Sequence, residues 1–424
     1  MHTRSAVMGW LLFFGAGPSW AGGTIRHYDI DVALAASRGR LRATATLTVL
    51  APAGGLSRLD LLLNHALDVR SVGCDAGVKG FRFDRSERTA FRYTPTAAPL
   101  RIELEKAVPA GEQTQLRLEY EGKVDPDTWK TSVLTPDWVE LAMYAAWYPF
   151  DPESRAFSYR LDVSAEPEYA VAGPGTLARS GDRWTVVHEA PTWDIVLVAA
   201  RGLTVRRVDA GGLAVDVWHV RSRVGDERID PFARDVARMM GDFRAWYGTI
   251  PAGRLTIVFA ERTSGGGYYR PGFISLLLND DYRGLVKYAA HEVAHFWWGR
   301  APATTWEDWL NESFAEYSSL LLMRSWYGVE SFDKTMADYE GQAAGTPAIW
   351  GLDRDDPAAF PALYRRGPVL LHRLEQRIGE EPYRRFAAAL VSREVRSTEA
   401  LLATLQERTS AEVREAFERD LRAR

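Results

Sequence analysis

Hydrophobic and polar positions alternate with a period of two from residue 24 to about 205, and with a helical period over most of the rest of the chain. In LRIELEKAV (100–108), Leu100, Ile102 and Leu104 share one face while Arg101, Glu103 and Glu105 take the other. LRLEYEG (116–122) repeats this with Leu116, Leu118 and Tyr120, and PAGEQ between the two stretches is a turn signal. IRHYDIDVALA (25–35), LRATATLTVLAP (41–52), FSYRLDVSA and RWTVVHEA follow the same rule. The pattern predicts a many-stranded antiparallel β domain.

After about residue 206 one more strand, LAVDVWHV, leads into DPFARDVARMMGDFRAWYG (230–248). There Asp230 reads as an N-cap and Pro231 as a first-turn proline, with Phe232, Val236, Met239, Met240 and Phe243 at helical spacing. RLTIVFAER and GFISLLL are buried strands. From residue 284 onward helices dominate, the last expected to start at a capping box, Thr409-x-x-Glu412. The expected architecture is multidomain α+β: a segment 1–21, a β domain over 22–205 and an α+β domain over 206–424.

Composition narrows the function classes. The 424 residues are 46 % hydrophobic and 25 % charged, as in ordinary globular proteins. A net charge of −4 supplies no footprint for nucleic acid. Cys74 is the sole cysteine, so no internal disulfide forms. Arg4, an apolar run from Ala6 to Gly17 and Ser19-Trp20-Ala21 have the form of a secretory leader cut after Ala21. No other segment approaches the length of a membrane span. The expectation is an exported protein, periplasmic or secreted, from a bacterial envelope.

The candidate chemistry lies in HEVAHFWWGRAPATTWEDWLNESFAEY (291–317). His291 and His295 stand one helical turn apart on one face, where two imidazoles can share a tetrahedral Zn²⁺, and the adjacent Glu292 can reach a water on that metal. Glu312, 17 residues beyond His295, supplies a third ligand if the chain turns and a second helix runs back. The competing interpretation is a solvated helix that happens to carry histidines. Ala289, Ala290, Val293, Ala294, Phe296, Trp297 and Trp298 make this helix apolar around the pair, and charges in such a place need a partner.

His-Glu-x-x-His-x-Trp-x-Gly followed by Trp-Leu-Asn-Glu-x-Phe-Ala-x-Tyr resembles the gluzincin zinc peptidases of the M1 aminopeptidase family. AWYPFDPESRAFSYRLDVSAEPEYAVAGPG (146–175) is similar to that family's Phe-Pro-x-x-Asp segment, and WYGTIPAGRLTIVFAER to the helix and strand before its substrate loop. The resemblance implies a saddle-like N-terminal β domain followed by a thermolysin-like catalytic domain. It also implies one zinc ion per chain on His291, His295 and Glu312, with Glu292 as general base. Tyr364, in LYRRGPVLLHRLEQRIG, then corresponds to the tyrosine that donates to the oxyanion. Glu316, one turn after Glu312, either holds a ligand histidine or lies on a solvated face.

Two departures from the family change the expected selectivity. The connection between His295 and Glu312 is shorter than usual, which reads as a trimmed turn. More consequentially, the family's Gly-x-Met-Glu-Asn, whose glutamate binds a free amino terminus, is replaced by GGYYR (266–270). Tyr269 stands for the glutamate and Arg270 for the asparagine, and no Asp or Glu occurs from Arg262 to Asn279. Gly266 and Gly267 suit a backbone that approaches substrate closely, and Glu140 is the nearest substitute acid. The expectation is a chain without the family's large helical C-terminal domain. The expectation is a peptidase acting on peptide or protein substrates and not restricted to free amino termini, either an endopeptidase or an atypical aminopeptidase. The alternative is a non-catalytic peptide- or protein-binding protein with the same fold.

Overall fold

A computed structural model describes residues 23–424 apart from 90, 92, 128–129, 155, 251–252 and 264–265. The leader-like segment therefore lies outside the described residues. The alternating stretches build a seven-stranded sheet in the order Thr176–Ser180, Arg183–Thr192, Phe157–Ala165, Thr24–Ala35, Arg40–Leu50, Gln113–Gly122, Leu67–Cys74. Its register aligns the buried positions in rows across four strands: Leu161, Ile30, Ala45 and Leu118 form one, and Val163, Val32, Ala43 and Tyr120 the next. A slip of one residue in any strand would turn its apolar set to water, so burial fixes this register.

The sheet departs from the antiparallel expectation at one place. Thr24–Ala35 and Phe157–Ala165 run parallel. Parallel neighbours need a long crossover, and here the crossover includes a three-stranded sheet (Leu56–Asn64, Ala97–Val108, Val78–Phe83). A four-stranded sheet (Tyr169–Ala172, Leu197–Arg201, Val139–Leu141, Val133–Leu134) completes this part of the chain.

The second part is a mixed five-stranded sheet in the order Leu203–Asp209, Ala214–Val220, Arg254–Ala260, Phe273–Leu277, Tyr268–Arg270, packed with helices. The expected boundary at residue 205 falls inside its first strand. Helix α1 (Asp226–Tyr247) begins a turn earlier than the Asp230 cap predicts, leaving Pro231 inside it. Asp226 and Glu227 in the first turn complement the helix dipole, whereas Pro231, in the second turn, withholds one backbone hydrogen bond from the helix. The final helix (Ala411–Arg422) is capped by Ser410, whose hydroxyl accepts from the Val413 amide, instead of by Thr409. The Thr409 hydroxyl bonds back to the Leu405 carbonyl of the preceding helix.

Two helices position the chemistry. Helix α2 (Tyr282–Ala294) is capped by the Asp281 side chain, and α3 (Trp309–Tyr327) packs along it. Their short connection is pinned by Asn311, which accepts from the Ala301 amide at 3.1 Å and donates to the Ala301 carbonyl at 3.0 Å. Arg354 adds an ion pair to Asp308 at 2.7 Å. Trimming the turn therefore leaves the two helices firmly related. No helix among the described residues is long and apolar enough to cross a membrane.

Candidate metal centre and peptide cleft

The helical period stacks His291 and His295 with ring centroids 4.8 Å apart. The first turn of α3 brings Glu312 against them: its Oε2 lies 3.4 Å from His291 Nε2 and 3.7 Å from His295 Nε2. All three side chains are buried and present ligand atoms within 4.8 Å of one another. Ligands about 2.0–2.1 Å from a tetrahedral zinc stand roughly 3.3–3.5 Å apart, so the two contacts that Glu312 makes fit the ion with shifts of a few tenths of an ångström. The Nε2 atoms of both histidines have no hydrogen-bond partner among the described residues. Such groups are costly inside a protein unless something binds them.

The other face of each ring is held. His291 Nδ1 lies 2.9 Å from Glu316 and His295 Nδ1 lies 2.8 Å from the Trp298 carbonyl. Nδ1 is thereby the donor in each ring, leaving Nε2 to coordinate. Glu316 is buried, so the solvated alternative does not describe it, and it also receives Lys287 Nζ at 2.6 Å, the Tyr339 hydroxyl and Arg365. Burial alone would raise its carboxyl, but Lys287, His291 and Arg365 hold it well below the usual range. Burial also works against a charged His291, yet the neighbouring Glu312 and Glu316 carboxylates outweigh it and lift the imidazole to about 9. Burial takes His295 down to about 4.

Glu292 sits on the same helix with both carboxylate oxygens buried and without a hydrogen-bond partner among the described residues. Burial pushes it up to about 8. Tyr364 reaches the site from a π-helical turn, Ala362–Arg366, and stacks on His291 with centroids 5.6 Å apart. Burial, with Glu312 beside it, holds its phenol well above the ordinary value, so it stays protonated. The turn crosses α3 closely: the Ser313 hydroxyl donates to the Leu363 carbonyl at 2.7 Å, and a Cβ on Gly367 would lie 1.9 Å from Ser313 Oγ.

The five residues expected to contact substrate are placed differently from one another. Tyr268–Arg270 is the edge strand of its sheet. Tyr269 projects beside His295 and lines a cavity of ≈ 1000 Å³ that also includes Phe296, Arg300 and Trp193. Arg270 is fully buried, bonded to Asp194 at 2.6 Å, and its guanidinium lies 4.1–4.9 Å from the rings of Trp193, Tyr268 and Tyr144. Burial works against its charge, but Tyr144 and Asp194 hold it above its ordinary range. Glu140 is fully buried as well, accepting from Arg262 Nε at 3.1 Å, Trp138 Nε1 at 3.0 Å and the Ser275 hydroxyl at 2.6 Å. Gly266 gives its carbonyl to Arg262, and Gly267 is tight against its own protein: a Cβ there would meet the Tyr288 hydroxyl at 2.4 Å. Arg270, Glu140 and the two glycines are thus internal packing and pairing positions beneath the edge strand.

The sequence pattern offered little sign of Asp194 and Arg262, which lie outside the motifs, or of Arg365 beside Tyr364. Lys287 was legible in principle, since it precedes His291 by one helical turn.

Residues 275–419 match the Peptidase family M1 domain. Among curated proteins, the chain is 22 % identical over 304 residues to the mitochondrial aminopeptidase 2 of Saccharomyces cerevisiae, covering 63 % of this chain and 31 % of that one. It is 27 % identical over 186 residues to the probable aminopeptidase 1 of Saccharolobus solfataricus, covering 38 % and 24 %. The chain therefore spans less than a third of these relatives. Its fold is that of the M1 zinc metallopeptidase from Deinococcus radiodurans (TM-score 0.72, 20 % identity, 95 % of both chains). It also follows the native leukotriene A4 hydrolase of Saccharomyces cerevisiae (TM-score 0.71, 17 % identity, 94 % of this chain and 68 % of that one).

Proposed function

We infer that this chain, a member of peptidase family M1 by its 275–419 domain and its two-domain fold, hydrolyses peptide bonds without requiring a free amino terminus. His291, His295 and Glu312 would hold one zinc ion, which when bound supplies Lewis acidity at the scissile carbonyl and acidifies an attacking water. Glu292, buried, unengaged and raised to about 8, takes the proton from that water and returns it to the leaving amine. The protonated Tyr364 phenol donates to the carbonyl oxygen as negative charge develops there. Glu316 and the Trp298 carbonyl keep both imidazoles in one tautomer and orientation.

The selectivity rests on one observation: Glu140, the substitute acid that the sequence put forward for a substrate ammonium, is consumed internally by Arg262, Ser275 and Trp138. Arg270 has its own carboxylate in Asp194, so the edge strand offers an incoming peptide backbone groups and the Tyr269 ring in place of an anion. A related Deinococcus radiodurans enzyme has been solved with a Tyr-Ser-Ala substrate, which supports a peptide as occupant of this cleft. We also propose export from the cell, supported by the leader-like pattern of residues 1–21; amino-terminal sequencing of the mature protein checks it.

The test is a peptide library offered in amino-free and amino-acetylated forms to the zinc-loaded protein and its Glu292→Gln variant. Internal cuts, or cuts indifferent to acetylation and abolished in the variant, are expected. Stepwise loss of single residues from free peptides alone would refute the selectivity. No cleavage of any form would favour a binding protein over an enzyme.

A further inference from the structure

The cavity beside Tyr269 and His295 does not stop near the metal triad. Its far wall is the strand Arg183–Thr192 where it outruns its neighbour: Thr176–Ser180 pairs with it only between Arg183 and Val187. Beyond Val187 the strand keeps an edge with no partner strand on that side among the described residues. A second recess of ≈ 290 Å³, floored by His27, Asp29 and Arg160, shares Val187, His188 and Glu189 with the first. Those three residues line both recesses. The larger one alone equals the upper end of small-ligand pockets, about 1,000 Å³, well beyond the needs of one side chain.

The charges along this path are unequal in their engagement. Arg254 holds Asp216 and Arg300 holds Glu394, each at 2.5 Å. Arg160 is paired with Asp162 at 2.9 Å, and Asp29 faces His27 at 3.4 Å. The two ring nitrogens of His188 each lie 3.0 Å from a backbone carbonyl, those of Ala190 and Pro271. Glu189 is exposed on the wall of both recesses and makes no hydrogen bond or ion pair among the described residues.

We propose that the larger recess binds an arm of an extended substrate peptide beyond the residue at the metal, and that Glu189 on its wall selects a lysine or arginine on that arm. The strand edge beyond Val187 offers few backbone partners, since Pro191 has no N–H and the Ala190 carbonyl is taken by His188, so the unpaired carboxylate supplies the preference. This rests on the peptidase reading above, because it takes the triad as the place where the peptide is cut.

The experiment measures binding of fluorescent peptides by anisotropy to the zinc-loaded, full-length Glu292→Gln protein, with cleavage by the native protein followed in parallel. A short peptide is compared with longer ones carrying Lys, Gln or Glu in the added arm. The long Lys peptide should bind tightest, and adding Glu189→Gln should cut its advantage over the Gln peptide by about 1.5- to 5-fold, the range of an exposed ion pair. Glu189→Lys should reverse the order in favour of the Glu peptide. Equal binding of short and long peptides overturns the proposal, as does a Lys preference that survives Glu189→Lys. Charge-dependent binding without any cleavage by the native protein would keep the arm site and sink the peptidase reading. Cleavage with binding indifferent to Glu189 would do the reverse.

Discussion

Gly367→Ala probes how Tyr364 is delivered to the triad. The added methyl would sit 1.9 Å from Ser313 Oγ and 2.5 Å from Ser313 Cβ. Ser313 cannot swing away freely, because its hydroxyl is bonded to the Leu363 carbonyl one residue from Tyr364. The π-helical turn and α3 must therefore separate by about 1 Å or more to restore van der Waals contact. Overpacking of this kind costs about 1–3 kcal/mol of stability. The catalytic effect is expected to be larger than the stability effect suggests, since a 1 Å displacement of a reacting group can lower turnover about 100-fold. Ser313→Gly removes both clashing atoms at the cost of one hydrogen bond and roughly 0.5 kcal/mol of helix propensity. The assay is a four-protein cycle of native, Gly367→Ala, Ser313→Gly and the double variant, read by Tm and by kcat on one peptide. The double variant should regain most of the kcat lost by Gly367→Ala, with a coupling of roughly 1–3 kcal/mol. A Gly367→Ala protein with native Tm and kcat, or a double variant no better than the single, would refute the reasoning.

Three further outcomes follow from the same site. Glu316→Gln should weaken zinc binding by about 10- to 100-fold in a chelator competition, because His291 loses the acceptor that fixes its tautomer. Zinc affinity should fall about tenfold for each pH unit below about 9 and level off above it. His291 carries a proton below that value that the metal must displace, whereas His295 is neutral above about 4 and adds a second proton only below that; a pH-independent affinity between 6 and 8 would contradict this. Arg270→Met should cost about 3–5 kcal/mol and lower Tm sharply, since it strands the Asp194 carboxylate in the protein interior. The Arg270→Met, Asp194→Asn double variant should recover part of that loss, and an unchanged Tm in the single variant would mean that the pair is not buried in solution.

Much of this protein is determined by local pattern. Period two in LRIELEKAV and LRLEYEG dictates which face of each strand is apolar, and the structure buries Leu100, Ile102, Leu116 and Leu118 accordingly. The one-turn spacing of His291 and His295 is a property of the helix itself, so the two imidazoles share a face whatever the rest of the chain does. Helix ends were less legible: Asp230 and Thr409 were plausible caps, but Gly225 and Ser410 hold those positions. Several residues near a boundary can cap it, and packing chooses among them. What only the tertiary structure decided is the fate of the charges around the cleft. Arg270 meets Asp194 across 76 residues and Arg262 meets Glu140 across 122, and no periodicity links such pairs. A lone arginine in a glycine-rich loop reads equally as a substrate contact or a structural cation. Burial separates the two, because a guanidinium taken from water must find its carboxylate inside the fold.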